Sequence, residues 1–146
     1  MINLRNILLV EDNLKDVELT LEALKEHNLV NRVVHVHDGV EALDYLKCRN
    51  PYNNRTPENP SVILLDIKMP RMDGIELLEV IRSDDNLKRI PVVMLTSSRE
   101  EPDLKICYKL GVNAYVVKPV NFVAFMDAVK GLGVFWGLIN ELPFEY

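Results

Sequence analysis

The sequence predicts an α/β fold: a doubly wound, five-stranded parallel β-sheet in the strand order 2-1-3-4-5, with helices on both faces. Short apolar runs alternate along the chain with longer amphipathic segments, and three of these runs are apolar at all four positions, as in strands that are buried on both faces. Strict alternation of strands and helices requires a parallel sheet with right-handed crossovers, and five such units fit this strand order.

The individual elements follow from the same pattern. Five runs are predicted to be strands: Ile7–Val10, Val33–Val36, Val62–Leu65, Val92–Leu95 and Ala114–Val117. Between the strands, apolar side chains recur every three or four residues, which is the period of a helix that packs on a sheet. We expect Asp38, Asp73 and Asn121 to be N-cap residues, since each stands where a helix should begin. Pro102 and Gly111 are expected to open and close the fourth helix.

The composition is that of one globular domain. The chain has 146 residues, of which 48% are hydrophobic and 27% are charged, and a core of that size needs no disulfide. We therefore treat residues 1–146 as a single domain with its core in about residues 4–130. Residues 48–61 are rich in proline and asparagine and are expected to form a long surface loop. The apolar residues 131–146 form a C-terminal extension that we expect to pack on the domain or on a dimer partner.

Charge, hydropathy and cysteine spacing argue against several classes of protein. The formal net charge of −5 is unfavourable for binding the phosphates of nucleic acids. The apolar runs are too short to span a bilayer, so we expect no membrane association. Cys48 and Cys107 lack the spacing of a metal or redox motif, which indicates reduced thiols and a cytoplasmic protein.

Three acidic residues stand where two predicted strands end. Glu11 and Asp12 follow the first strand, and Asp66 follows the third. Because these strands are neighbours in the predicted order, their carboxyl ends should bring the carboxylates together at one edge of the sheet. Clustered carboxylates repel one another, and a hard divalent cation such as Mg²⁺ removes that penalty. The sequence therefore predicts a magnesium site at this edge.

Two further polar residues end the remaining strands. Thr96 follows the fourth strand and Lys118 follows the fifth, so both side chains are expected to face the same crevice. A lysine ammonium in that position can pair with a carboxylate or with a phosphoryl oxygen. The combination of acids, a hydroxyl and an ammonium at four strand ends indicates one functional site rather than four unrelated strand ends.

Five motifs occur in a fixed order along the chain: ILLVEDN (Ile7–Asn13), DGVEAL (Asp38–Leu43), LLDIKMPRMDG (Leu64–Gly74), VVMLTSS (Val92–Ser98) and YVVKP (Tyr115–Pro119). With these motifs, nearly the whole chain resembles the receiver domains of two-component response regulators. The resemblance implies a flavodoxin-like receiver fold. It also implies a phosphoacceptor signalling protein rather than an enzyme, with slow intrinsic autophosphorylation and autodephosphorylation and an output through protein–protein interaction.

The resemblance implies a role for each acidic residue. Asp66 would accept a phosphoryl group from the phosphohistidine of a sensor histidine kinase. Mg²⁺, for which Mn²⁺ or Ca²⁺ can substitute, would be held by Asp12, Asp66 and the backbone carbonyl of Lys68. Glu11 would reach the ion mainly through water.

The resemblance also implies roles at the last two strands. Thr96 and Lys118 would contact the phosphoryl oxygens, and Tyr115 would act together with Thr96 as a conformational switch. The Lys118–Pro119 peptide bond would be cis. These roles suit phosphoryl transfer, because the protein contributes mainly positioning and neutralisation of charge.

A second resemblance is narrower and rests on the long loop and on the run LGVNAYVVKPVNFVAFMDAVKGLGVFWGLINELP. These features are similar to the stand-alone response regulators that are associated with bacterial and cyanobacterial phytochromes. The resemblance implies a phytochrome-type kinase as phosphoryl donor and a homodimer formed through the fourth and fifth helices.

Two other functions remain as alternatives. A magnesium-dependent phosphohydrolase could also use an aspartyl nucleophile, but the second carboxylate of its DxDx(T/V) motif is missing after Asp66. A flavodoxin-like binder of FMN would have to place a phosphate beside three acids. His35 and His37 share one face of the second strand, but no third ligand is suitably spaced, so we interpret them as a half-buried or surface pair.

Overall fold

The computed structural model describes residues 6–25, 32–97 and 102–130. Five strands alternate with five α-helices in this part of the chain. The strands are β1 (Ile7–Val10), β2 (Val33–Val36), β3 (Val62–Asp66), β4 (Val92–Thr96) and β5 (Ala114–Val117). The helices are α1 (Leu14–Leu24), α2 (Gly39–Leu46), α3 (Gly74–Ser83), α4 (Asp103–Lys109) and α5 (Phe122–Lys130). None of these helices is both long and apolar enough to cross a membrane.

The strands form one parallel sheet in the order β2-β1-β3-β4-β5, which confirms the predicted topology. Val10 of β1 lies opposite Leu65 of β3, and Thr96 of β4 lies opposite Val117 of β5. In this register, the carboxyl ends of β1, β3, β4 and β5 meet at one edge of the sheet. β3 and β4 each extend one residue beyond the predicted apolar run, so that Asp66 and Thr96 are the last residues of their strands.

Two apolar layers cover the two faces of the sheet. Alternate residues of β1 belong to different layers: Leu8 and Val10 pack with residues of α2, α3 and α4, whereas Ile7 and Leu9 pack with residues of α1 and α5. All residues of β1, β3 and β4 are buried, as is expected for central strands covered on both sides. The central strands are therefore fixed from both faces, and this rigidity extends to their carboxyl ends.

Side-chain caps define where the helices near this edge begin. Asp38 Oδ1 accepts a hydrogen bond from Glu41 N at 2.9 Å, and Asp73 forms a capping box with Glu76 at the start of α3. Asn121 Oδ1 accepts from Ala124 N at 2.8 Å. The three predicted N-caps are thus confirmed. Pro102 directly precedes α4, and Gly111 follows it with a φ of 91°, a conformation that favours glycine.

The long connection between α2 and β3 contains a short 3-10 helix, Asn50–Tyr52. It is fastened to α2, because the Tyr52 hydroxyl donates to Glu41 Oε2 at 2.6 Å and the Arg55 guanidinium lies 3.9 Å from the centre of the Tyr45 ring. The predicted surface loop is therefore tied to the domain. The C-terminal extension, residues 131–146, lies outside the described residues, and its packing stays a prediction.

Candidate functional site

The structure brings three carboxylates together at the carboxyl edge of the sheet. Glu11 and Asp12 follow β1 directly, and Asp66 ends the neighbouring strand β3. One carboxylate oxygen from each of these residues lies within 4.8 Å of the others. Glu11 is fully buried and Asp66 is 7% exposed, whereas Asp12 is exposed. The three residues form the one cluster of this kind among the described residues.

The position of Glu11 is fixed by β2 and by the start of α1. Its backbone N–H donates to Val36 O at 3.1 Å, and its backbone oxygen lies 2.7 Å from His35 Nε2. The backbone N–H of Asn13 donates to Glu11 Oε2 at 3.2 Å. His35 is half-buried and contacts the backbone of the acidic cluster, whereas His37 is exposed and its Nδ1 lies 2.9 Å from Glu41 Oε1, which agrees with the interpretation as a half-buried or surface pair.

Lys118 reaches into the acidic cluster from the end of β5. Its Nζ lies 3.0 Å from Glu11 Oε1, 3.1 Å from Asp66 Oδ1 and 2.9 Å from Asp16 Oδ2. Its backbone N–H donates to Thr96 O at 2.7 Å, and the following peptide bond to Pro119 is cis. Burial favours the neutral amine, but the hydrogen bond to Asp16, the close contact with Glu11 and the charge of Asp66 outweigh it and raise the pKa of Lys118.

Asp16 is a member of the site that sequence reasoning missed. It lies in the first turn of α1, where Asn13 Oδ1 accepts a hydrogen bond from its backbone N–H at 3.0 Å. This cap orients the first turn over the edge of the sheet. The signal in the sequence is the spacing from Asn13 to Asp16, which is that of an N-cap and the third residue of a helix.

The acidic cluster has the properties of a divalent cation site. Glu11 Oε1 is buried and, although it lies 3.0 Å from Lys118 Nζ, it makes no aligned hydrogen bond within the described residues. Burial raises the pKa of Glu11 to about 7, against the attraction of the nearby Lys118 ammonium, and the charge of Asp66 adds to the rise. A buried carboxylate oxygen that lacks an aligned donor, next to two further carboxylates, fits a hard cation with oxygen ligands.

A crevice of about 280 Å³ opens above these residues. Its lining includes Thr96 at the end of β4, Ser97 directly after it and Lys68 in the loop after β3. Thr96 is buried, with 2% of its surface exposed. The crevice therefore combines carboxylates, a hydroxyl and the Lys118 ammonium in one volume that is large enough for a phosphoryl group and a hydrated ion.

The loop from Ile67 to Asp73 is held closely against the sheet. Gly74 N donates to Ile67 O at 2.8 Å, and a Cβ at Gly74 would lie 2.9 Å from Ile67 Cα and even nearer to the backbone oxygen of Asp66. At the far side of the loop, Gly39 N donates to Met72 O at 3.1 Å. The loop that carries Lys68 is thus connected both to β3 and to the start of α2.

Tyr115 lies outside the lining of the crevice. It is partly buried against the apolar layer that contains α2, α3 and α4, and its ring meets the ring of Tyr108 edge to face at 6.5 Å between centres. It lies opposite Met94, two residues before Thr96 on the neighbouring strand. The structure thus places Tyr115 between the region of Thr96 and the exposed side of α4, and its switching role stays a prediction.

Comparisons with known proteins identify relatives of the whole chain. Residues 7–130 match the family model of the response regulator receiver domain. Response regulator Rcp1 of Synechocystis sp. is 39% identical over 137 residues, which cover 94% of this chain and 92% of Rcp1.

The chain is also similar to solved structures of response regulators. The bacteriophytochrome response regulator AtBRR superposes with a TM-score of 0.86 and 57% identity, over 94% of this chain and 99% of that one. The phosphorylated cyanobacterial phytochrome response regulator RcpA has a TM-score of 0.74 and 43% identity, over 92% of this chain and 94% of that one. A structure of Rcp1 in its Mn²⁺-bound form has a TM-score of 0.71, over 90% of this chain and 94% of that one.

The family model spans the sheet and all five helices, and the relatives extend over almost the full length of the chain. The crevice described above lies within the matched residues. The protein is therefore a member of the response regulator receiver domain family and is related to the phytochrome-associated regulators.

Proposed function

We propose that this chain is a single-domain response regulator that receives a phosphoryl group from a histidine kinase on Asp66. The observation that carries the proposal is the position of Asp66, which ends a buried central strand and opens into a crevice shared with Glu11, Asp12 and Lys118. The 43% identity to RcpA, a regulator that was solved in its phosphorylated form, supports the same function.

The acidic cluster would hold Mg²⁺, with Mn²⁺ or Ca²⁺ as substitutes. Asp12 and Asp66 would provide carboxylate ligands, Lys68 its backbone carbonyl, and Glu11 a contact that is largely mediated by water. The buried oxygen of Glu11 and the Mn²⁺-bound form of the relative Rcp1 support this assignment. When bound, the ion would supply positive charge next to the phosphoryl oxygens, where an anionic nucleophile meets an anionic substrate.

The transfer itself would be a displacement at phosphorus. A carboxylate oxygen of Asp66 forms a bond to the phosphorus atom while the bond from phosphorus to the histidine nitrogen breaks, and that nitrogen keeps the electron pair. Lys118 would hold one phosphoryl oxygen with its ammonium, and the hydroxyl of Thr96 would donate to another. Lys118 is already within 3.1 Å of Asp66 Oδ1, so it needs little movement to reach the product.

Phosphorylation would change the surface through Thr96 and Tyr115. A phosphoryl group carries a charge of about −1.5 to −2 at neutral pH and attracts hydrogen-bond donors. Movement of Thr96 toward it would vacate the space beside β4, into which Tyr115 can turn from the adjacent strand. The proximity of Tyr115 to Tyr108 on α4 gives this turn a route to the surface.

The partners that we propose are a phytochrome-type sensor histidine kinase and a second copy of the chain. The similarity to AtBRR, a bacteriophytochrome response regulator, and to RcpA, a cyanobacterial phytochrome response regulator, supports a kinase of the phytochrome type. The homodimer would use α4 and α5, where Ile106, Tyr108 and Val123 are exposed apolar side chains. The output is protein–protein interaction, and we expect no contact with nucleic acid or membrane.

We place this signalling step in the cytoplasm. The two cysteines of the chain, Cys48 and Cys107, form no disulfide, which is typical of a reducing compartment. The autophosphorylation and autodephosphorylation that we propose would be slow side reactions of the acceptor site rather than turnover of a metabolite.

The decisive experiment uses phosphoramidate or acetyl phosphate as donor, with Mg²⁺ and the full chain. Intact-protein mass spectrometry should detect one added phosphate, and Asp66→Asn should abolish it. Asp85→Asn, which changes a 92% exposed acid near α3, is the matched control and should be phosphorylated normally. Equal labelling of Asp66→Asn would refute the assignment. Multiple turnover of a simple phosphate ester would indicate the hydrolase alternative.

Dimerisation has its own test. Truncation after Lys130 should weaken self-association, because we expect the C-terminal extension to contribute to the interface. Sedimentation velocity of the full chain and of the truncated chain, each with and without phosphate donor, measures this effect. Identical sedimentation profiles would contradict the proposed role of the extension.

A further inference from the structure

We propose that Asp16 is a positioning residue for Lys118: it holds the ammonium at the rim of the crevice, so that Asp12 and Asp66 can bind a divalent cation beside Glu11 without releasing Lys118 from the site. The proposal rests on the function proposed above, since it concerns the same crevice. It adds a fourth carboxylate to the site and gives that carboxylate a separate task.

The Lys118 ammonium contacts three carboxylates at nearly equal distances. An ammonium has three N–H donors, and three different carboxylates surround this one. The shortest of the three distances, 2.9 Å, is to Asp16 Oδ2, and those to Glu11 and Asp66 are 3.0 and 3.1 Å. Asp16 is therefore a direct ion-pair partner of the lysine.

Asp16 differs from Glu11 and Asp66 in its position relative to the candidate cation site. Glu11 and Asp66 belong to the group of three carboxylates that could hold a metal ion, and Asp16 does not. Asp16 is also the most exposed of the three lysine partners: 29% of its side chain is exposed, against 0% for Glu11 and 10% for Asp66. It thus contacts Lys118 from the outer side of the crevice, away from the buried acids.

Hydrogen bonds hold the backbones of both Asp16 and Lys118. Its backbone is fixed by the hydrogen bond to Asn13 Oδ1, and the backbone N–H of Asn13 in turn donates to Glu11. The backbone of Lys118 is fixed by its hydrogen bond to Thr96. The fold therefore places both backbones, so that only the two side chains have to be ordered when the ion pair forms.

The contact between Asp16 and Lys118 matters because Lys118 and an entering cation compete for the same carboxylate oxygens. Lys118 lies within 3.1 Å of oxygens of Glu11 and Asp66, beside the position that an entering cation would take, and two positive groups cannot approach the same oxygens at low cost. When the cation enters, Lys118 keeps its ion pair with Asp16 and remains beside Asp66. Without Asp16, the lysine would hold only the two buried acids and compete more strongly with the cation.

Measurement of Mn²⁺ affinity on the full chain, by titration calorimetry without a phosphate donor, tests the proposal. Asp16→Asn should weaken Mn²⁺ binding by about fivefold or more, and the same substitution in a Lys118→Ala background should change affinity by less than about twofold. The cycle separates two explanations, because a general charge effect of Asp16 would weaken binding equally in both backgrounds. Equal weakening would overturn the positioning role, and so would an unchanged affinity of Asp16→Asn.

Glu18→Gln is the matched control, since it removes one acidic charge from an exposed position on the same helix and should leave Mn²⁺ affinity within about twofold of the wild type. Far-UV circular dichroism of each variant establishes that it is folded. The test is independent of phosphorylation: if Asp66 failed to accept phosphate while the Mn²⁺ cycle behaved as expected, only the proposed function would fall. If phosphate were accepted but Asp16→Asn bound Mn²⁺ normally, only the role of Asp16 would fall.

Discussion

Arg71 binds Asp38 with both arms of its guanidinium: Nε lies 2.7 Å from Asp38 Oδ2, and Nη2 lies 3.0 Å from Asp38 Oδ1. Burial alone would raise the pKa of the Asp38 carboxyl, but the hydrogen bonds from Arg71 and from the backbone of Glu41 hold it below its usual value. Asp38 caps α2, and Arg71 lies in the loop after β3, where its φ is 64°. The pair therefore connects the loop that carries Lys68 to a helix on the adjacent part of the sheet.

We expect Arg71→Ala to weaken binding of Mn²⁺ to the acidic cluster. The substitution releases one side of the loop, so the Lys68 carbonyl proposed as a ligand is held less firmly. Titration calorimetry measures the affinity, and hydrogen exchange of the loop amides reports its mobility. Arg49→Ala is the control, because Arg49, just after α2, forms an exposed ion pair with Asp44 of that helix, outside the lining of the crevice. Equal affinities in both variants would contradict a role of the Asp38–Arg71 pair in the site.

Gly74→Ala should destabilise the fold by about 1–3 kcal/mol, since the new Cβ would lie 2.9 Å from Ile67 Cα and closer still to a backbone oxygen. Neither neighbour is a flexible side chain, so the loop itself would have to move. Urea unfolding measures the change in the free energy of unfolding. Ser83→Ala, at the other end of α3, should stay within about 0.5 kcal/mol. A stable Gly74→Ala protein would show that this close approach is not required.

The raised pKa of Glu11 predicts a dependence of stability on pH in the absence of divalent cations. In the unfolded chain, Glu11 loses its proton near its usual pKa of 4.5, whereas the folded protein keeps the proton until about pH 7. The folded state thus binds more protons between these values, so this group makes the free energy of unfolding fall as the pH rises through that window.

Glu11→Gln should reduce this fall, because glutamine does not titrate. Urea unfolding in EDTA at several pH values between 4.5 and 7 measures the slope for each protein. Glu18→Gln, on the exposed side of α1, should retain the slope of the wild type. If the slope of Glu11→Gln equalled that of the wild type, Glu11 would not be the group responsible.

Two positions on α5 provide a test of the apolar layer that contains this helix. Phe125 is fully buried there, and Val123 on the same helix is 68% exposed. Phe125→Ala should cost about 3–5 kcal/mol, because it leaves a cavity beneath α5. Val123→Ala should change the free energy of unfolding by at most about 0.5 kcal/mol. Similar values for the two variants would contradict the described packing of α5.

The strand ends explain how much of the site could be predicted from the sequence. In a parallel sheet, the residue that follows an apolar run must lie at the carboxyl edge, so Glu11, Asp12 and Asp66 could be placed together before any coordinates were known. The same reasoning located Thr96 and Lys118. Their meeting depends only on the strand order, which the alternation of elements determines.

Asp16 and the partner of Asp38 could not be found in that way. Asp16 reaches the site through the direction of the first turn of α1, and a helix offers several acidic positions, such as Glu18, that face elsewhere. Asp38 was recognised as a cap, which is a local contact, whereas its ion pair with Arg71 spans 33 residues. Local patterns predict local contacts, but a contact between a loop and a helix requires the packed geometry.

The ion pair between Asp16 and Lys118 joins residues that are 102 positions apart. The four acids of the crevice lie in β3 or before it, whereas Lys118, the ammonium that contacts three of them, follows β5 near the end of the matched domain. A chain that stops before β5 therefore keeps the repulsion among these carboxylates without the Lys118 ammonium that offsets it. We therefore expect a chain truncated before β5 to lose stability through this unbalanced charge as well as through the missing strand.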